Sequence, residues 1–323
     1  YKSWWGFETL PEVQEECHDY LEFVTGKNGV IRKWIRLGAD GWRLDVADEL
    51  PDVFIDAVRR AVKEENPEAV LLGEVWEDAS NKCSCGQRRE FLLGKQFDSI
   101  MNYPFANAVL DFARDGNAED FMARVTSIVE NYPKPVLDVL MNHIGTHDTE
   151  RAITRLAGVS CEYRDRAWQS KHRLSKEEYK KGVSRLKLAA SIQYMLPGVP
   201  SVYYGDEIGM QGYKDPFNRC FFDWKNENEE ILSYYKLLGR LRRSESCLAD
   251  GELRTVSAAL GCVAFERVGE HCALMIIANR NEEQITYNLP PVWQYTQELL
   301  TGRDVSQSVC VDGVSAVVLK RKF

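Results

Sequence analysis

Five short runs rich in β-branched and large apolar residues recur along the first two thirds of the chain, each followed by a segment that can be helical. No other feature limits the fold as strongly. The runs are GWRLDVA (41–47), AVLLGEVW (69–76), FDSIMNYP (97–104), PVLDVLMNH (135–143) and VPSVYYG (199–205). Helical patterns lie between them at PDVFIDAVRRAVKEENP (51–67), AEDFMARVTSIVENYP (118–133) and SKEEYKKGVSRLKLAASIQYMLPG (175–198). Such alternation predicts an α/β fold, a parallel sheet covered by helices. After about residue 250 the texture changes: ELRTVSA, CVAFERV, CALMIIANR, QITYNLP, TQELLTG and SAVVLKR alternate or are β-branched, with turn residues between them. A separate antiparallel β domain is expected there, its boundary near LLGRLRRSE.

Composition excludes several partners. The 323 residues carry a net charge of −8, and Lys and Arg are scattered rather than gathered in a stripe, so neither nucleic acid nor an anionic membrane is an expected partner. The longest apolar runs, such as ALMIIA at 273–278, have strand length, far short of the roughly 20 residues a membrane-spanning helix needs. The chain begins at Tyr without a leader pattern, which puts any targeting segment outside the sequence. Nine scattered cysteines favour reduced thiols and a cytoplasmic protein over a disulfide framework. NKCSCGQ has no second Cys/His pair nearby and is read as a surface loop rather than half of a metal site.

The stretch GADGWRLDVADEL (38–50) puts Arg43 and Asp45 at the end of an otherwise apolar, buried-looking run. With the same parity on one strand they face the same side, and a cation beside a carboxylate favours its ionised form. In a parallel barrel, catalytic side chains sit where the strands end. LLGE ends in Glu74, and the run PVLDVLMNH leads to His147 and Asp148. A retaining glycosidase needs one ionised carboxylate to attack the sugar and another, its pKa raised, to protonate the leaving oxygen. Asp45 suits the first role; Glu74, between Gly73 and the apolar Val75 and Trp76, suits the second. The competing reading is that these acids cap helices or pair with arginines.

GWRLDVADE, GEVWEDAS and GTHDTER resemble, in order, the second to fourth sequence regions of the α-amylase superfamily, glycoside hydrolase family 13. The combination is most similar to the neopullulanase, cyclomaltodextrinase and maltogenic amylase branch. SWWGFETLPEVQ (3–14) resembles that branch's fifth region, and MLPGVPSVYYGDEIGM and DPFNRCFFDW resemble the eighth strand and the segment after it. The resemblance implies Asp45 as nucleophile, Glu74 as general acid/base, and Asp148 as the carboxylate that holds sugar hydroxyls and stabilises the transition state. It implies that Arg43 orients Asp45, that His147 binds the sugar, and that Glu49 stands where many amylases have His. Trp76, Arg151, Asp215 and Arg219 are further candidates for lining sugar subsites. Gln14, where the branch usually has Asn, and His143, at a position more often apolar, depart from the pattern; His143 is read as a core or supporting histidine.

A closed barrel of this type has eight strands, and five are present. The expected architecture is therefore the C-terminal part, strands 4 to 8, of a TIM (β/α)8 barrel followed by an antiparallel β-sandwich. Residues 1–15 would close an inserted domain, 16–247 form the partial barrel and 248–323 the all-β domain, all within a longer polypeptide. The implied activity is hydrolysis of α-1,4 links, with α-1,6 links as a second candidate, in maltooligosaccharides, cyclodextrins or pullulan. A 4-α-glucanotransferase and a non-catalytic carbohydrate binder are the alternatives. No cofactor or metal cluster is evident. Calcium sites of the wider family lie partly before Tyr1, and a homodimer of the full-length enzyme is implied by the branch's habit.

Overall fold

The computed structural model describes residues 1–84 and 86–323, so Cys85 of NKCSCGQ lies outside the described residues. The chain falls into two compact units, Tyr1–Met101 and Asn102–Phe323.

In the first unit, strands β1 (Gly41–Leu44), β2 (Val70–Gly73) and β3 (Ser99–Ile100) form a parallel sheet in that order, with Arg43 opposite Leu72 and Leu44 opposite Gly73. The helix Asp52–Glu65 connects β1 to β2 and starts directly after Pro51, the extended N-cap residue, with Asp52 in its first turn. Phe54, Ile55, Val58, Ala61 and Val62 recur on one side of it at helical spacing and are buried. Gly41 is required by backbone approach: a Cβ there would meet the Val70 carbonyl at 2.1 Å.

In the second unit, β4 (Met141–Asn142) pairs in parallel with β5 (Val199–Pro200). The run PVLDVLMNH is mostly not strand: Lys134–Leu137 is a short helix, and only Met141–Asn142 is extended. Pro135 has no N–H for a ladder and suits a first helical turn, and Lys134 pairs with Asp138 one turn on. VPSVYYG likewise keeps two strand residues before a 3-10 turn, Asp206–Ile208, flanked by Gly205 (φ 88°) and Gly209 (φ 75°). The helix Lys176–Met195 opens with a capping box between Ser175 and Glu178 and is buried on every side from Leu188 to Met195, as a central helix must be.

The antiparallel region holds a five-stranded sheet and a separate two-stranded ladder. Its strands are β6 (Glu252–Ala259), β7 (Cys262–Val268), β8 (Cys272–Asn279), β9 (Ile285–Asn288), β10 (Gln297–Glu298), β11 (Ser308–Val311) and β12 (Ser315–Lys322). The sheet runs β10-β12-β8-β7-β6 and the ladder is β9-β11. All eight residues of the central β8 are buried. Met275 and Ile277 pack with Trp293, Val309, Val311 and Leu319 into a core. The edge strand β6 is bulged between Thr255 and Ser257. Fully buried Arg267 on β7 donates to the carbonyls of Met195, Leu248 and Gly251, tying the sheet to the end of the central helix.

Candidate active site

In the first unit, Asp45 and Glu74 stand one residue beyond the ends of β1 and β2. Strand register brings them together: Glu74 N–H donates to the Leu44 carbonyl, and Ala47 N–H to the Glu74 carbonyl. Arg43, on the same face of β1, donates from Nη1 to Asp45 Oδ1 at 2.7 Å, and its Nη2 lies 3.0 Å from Glu74 Oε2. One guanidinium thus touches both carboxylates, and its Nε is oriented by Met101 Sδ at 3.2 Å. The two acids differ in exposure. The Asp45 side chain is 70% exposed, whereas Glu74 is 5% exposed and accepts from Val46 N–H at 2.9 Å and Trp76 Nε1 at 3.1 Å. Val46, between Asp45 and Ala47, has φ 47°, a left-handed conformation that a β-branched residue rarely adopts. Strain of this kind clusters at functional sites, and here it turns the Val46 amide onto Glu74. Asp45, Val46 and Glu49 line a cavity of about 470 Å³ with Trp4 and Lys82. Glu49 is clipped by two stacked indoles, Trp4 Nε1 at 2.9 Å and Trp5 Nε1 at 2.8 Å.

In the second unit, the loop after β4 carries His147 and Asp148. His147 Nε2 is 3.1 Å from Asp148 Oδ2. Arg219 donates from Nε to the His147 carbonyl at 2.9 Å, while its Nη2 lies 3.3 Å from Asp148 Oδ1 and its Nε 2.9 Å from Asp215 Oδ1. Arg219, Asp148, Asp215 and His147 therefore form one partly exposed charged cluster.

The profile of the alpha-amylase catalytic domain matches residues 10–240. The chain belongs to the α-amylase family. It is 36% identical over 279 residues to a cyclomaltodextrinase of Thermoanaerobacter pseudethanolicus, covering 85% of this chain and 41% of that protein. It is 35% identical over 305 residues to neopullulanase 2 of Thermoactinomyces vulgaris, covering 92% of this chain and 46% of that protein. Among solved structures, the type III pullulan hydrolase of Thermococcus kodakarensis superposes with a TM-score of 0.83 at 29% identity, over 99% of this chain and 51% of that one. The chain thus spans less than half the length of these two curated relatives. Family membership and this likeness make the parallel strands and their helices part of a TIM barrel, with a C-terminal sheet domain after it.

The positions expected for an α-amylase family site fall into three groups. Arg43, Asp45, Glu74, Trp76 and Glu49 lie in the first unit; Trp76 keeps 45% of its surface exposed while its indole N–H serves Glu74. His147, Asp148, Asp215 and Arg219 gather in the second. Arg151 corrects the expectation that it lines a sugar subsite: its side chain is wholly buried and offers no surface to a ligand. It donates to the carbonyls of Asn218 (2.8 Å) and Tyr204, lies 3.3 Å from Asp206 Oδ1, and sits over the rings of Tyr203 and Tyr204. His143 is buried edge-on against Tyr103, as a core histidine. Sequence reasoning missed two buried residues, Asp206 and Asn218. The glycines flanking GDEIG, and the adjacency of Asn218 to Arg219, were the available signals.

Proposed function

We propose that this chain carries the catalytic carboxylates of a retaining α-glucan hydrolase of the cyclomaltodextrinase or neopullulanase type. The observation that carries the reading is the Arg43 guanidinium touching both Asp45 and Glu74 at the ends of adjacent parallel strands. Retaining enzymes need two carboxyl groups about 5–5.5 Å apart, one to attack and one to trade a proton, and a shared guanidinium keeps two such groups close. Asp45, the exposed partner, attacks the anomeric carbon as the glycosidic bond breaks, and Glu74 protonates the departing oxygen. Glu74 then takes a proton from water, which attacks the same carbon and releases Asp45. Asp148 and His147 hold sugar hydroxyls, with Asp215 and Arg219 beside them, and Trp76 offers a ring face. Substrates are maltooligosaccharides, cyclodextrins or pullulan, joined by α-1,4 and, in some, α-1,6 links; the printed names of the relatives support this range.

The architecture that fits is strands 4 to 8 of an eight-stranded barrel over 16–247, an inserted-domain remnant over 1–15 and a β-sandwich over 248–323. A cytoplasmic site is supported by eight described cysteines, all unbridged. Among the described residues no helix is long and apolar enough to cross a membrane.

Glu74→Gln tests the reading. Turnover of maltotriose or β-cyclodextrin by the full chain should fall about 10²–10⁴-fold, as for loss of a general acid, with sugar binding retained. Activity within threefold of wild type would end it. Transfer to an added sugar acceptor, at the expense of hydrolysis, would favour a glucanotransferase working through the same intermediate.

A further inference from the structure

The loop that presents Asp148 is poorly held by its own backbone: its one internal backbone-to-backbone bond among the described residues, Thr149 N–H to the Thr146 carbonyl, is long at 3.4 Å. The Thr146 and Thr149 hydroxyls accept from Asp148 N–H (3.2 Å) and Thr146 N–H (3.1 Å), and the carbonyls on either side of Asp148 converge on one buried amide. Asn218 is 0% exposed, and its Nδ2 lies 3.3, 2.7 and 2.6 Å from the carbonyl oxygens of Thr146, His147 and Thr149. An amide nitrogen has only two hydrogens, so three acceptors around it share them in a bifurcated cradle. Those carbonyls bracket Asp148 on both sides.

Asn218 is itself fixed. Its carbonyl accepts from Arg151 Nε at 2.8 Å, and Arg151 N–H donates to the Gly212 carbonyl at 2.9 Å. Gly212 lies so close to the 217–218 backbone that a Cβ there would come within 2.4 Å of the Phe217 carbonyl and 2.8 Å of Asn218 Cα. Gly212, Arg151 and Asn218 form a rigid stack behind the loop, while Arg219, the next residue, grips His147 and Asp148 from the solvent side.

We propose that Asn218 is a positioning residue: without touching the sugar, it sets the path of residues 146–149 and hence where the Asp148 carboxylate stands. The inference rests on the reading of Asp148 as a sugar-holding carboxylate. In an active site, a shift of about 1 Å can cost 10²-fold, which a loop released from three hydrogen bonds readily makes.

Asn218→Asp keeps the shape but removes both donors; Asn218→Ser and Asn218→Ala remove the cradle. In the full chain, each folded variant should lose about 10- to 100-fold in kcat, with faster hydrogen exchange confined to amides 146–151. In an Asp148→Asn background the Asn218→Ser change should add no more than about twofold, as expected for residues acting as one unit. Wild-type exchange in that segment, kcat within about twofold, or a loss that multiplies fully in the Asp148→Asn background would each overturn the proposal. So would failure of all three variants to fold, which makes Asn218 purely structural. If Asp148→Asn retains full activity, the reading of Asp148 falls, and the exchange measurement alone decides whether Asn218 sets the loop.

Discussion

Asp206 gives this fold a pH-dependent stability whose size can be worked out. Its carboxyl is buried at the start of the 3-10 turn Asp206–Ile208, with Oδ1 3.3 Å from Arg151 Nη1. Oδ2 has no hydrogen-bond partner among the described residues and points at Gly145, where a Cβ would come within 2.1 Å of it. Burial pushes the Asp206 pKa up to about 7, against the opposing charge of Arg151 and with a smaller push from Glu207. An unfolded chain returns it to the ordinary value of 3.8. Between those values the folded state holds a proton that the unfolded state has released. The stabilisation is therefore complete below the unfolded value and is lost as pH rises through 7. At 1.36 kcal/mol per pKa unit, that difference amounts to about 4 kcal/mol. Asp206→Asn stays neutral throughout and retains an acceptor for Arg151. Urea unfolding followed by tryptophan fluorescence should show the stability of wild type relative to the variant falling by about 4 kcal/mol from pH 4 to pH 8. Losing the counter-charge of Arg151 shifts the variant's absolute stability without creating that slope. Parallel pH profiles, agreeing within about 1 kcal/mol across the range, would refute the assignment.

Arg43→Lys removes the planar fork that reaches two carboxylates at once; kcat on a maltooligosaccharide should fall about 10- to 100-fold while KM moves less, and a change under threefold would deny Arg43 its bridging role. Arg267→Met leaves the carbonyls of Met195, Leu248 and Gly251 without their donor. At about 1–3 kcal/mol for each stranded group, partly relieved by removing a buried charge, the net loss should be about 3 kcal/mol. A lowered urea midpoint, with exchange increased in β7 and at the end of the helix Lys176–Met195, checks it.

The helices over 51–67, 118–133 and 175–198 were legible because their apolar spacing, caps and prolines act locally: the observed Asp52–Glu65, Ala118–Asn131 and Lys176–Met195 differ only at the ends. The strand runs were legible as centres but not as lengths. PVLDVLMNH is largely apolar, with Val136 and Val139 as its β-branched residues, yet Pro135 and the Lys134–Asp138 pair convert its first half to helix, a choice between two nearly balanced local preferences. The ladder strand Ser308–Val311 escaped notice because SVCV is only four residues long, although the turn pair Asp312-Gly313 follows it directly. Strand parity alone puts Arg43 and Asp45 on one face, and Glu74 was placed by its position at the end of the next run. Arg151 could not: its sequence context, beside His147 and Asp148, is that of a ligand-facing arginine. Only the packing of Tyr203, Tyr204, Asp206 and Asn218 around it, from more than fifty residues downstream, turns it inward. Asn218 is likewise invisible to any local rule, since all three carbonyls it serves lie about seventy residues upstream.

The five-stranded sheet closes with neither a barrel seam nor a long straight margin. On one side the last strand, Glu252–Ala259, is kinked where Thr255 and Ser257 slip out of register and carries the exposed Glu252–Arg254 pair; on the other, Gln297–Glu298 is two residues long. A neighbouring molecule seeking to extend the sheet meets a crooked, charged template at one flank and almost none at the other. The wholly buried strand Cys272–Asn279 therefore lies behind borders that present no long, flat pairing edge of their own.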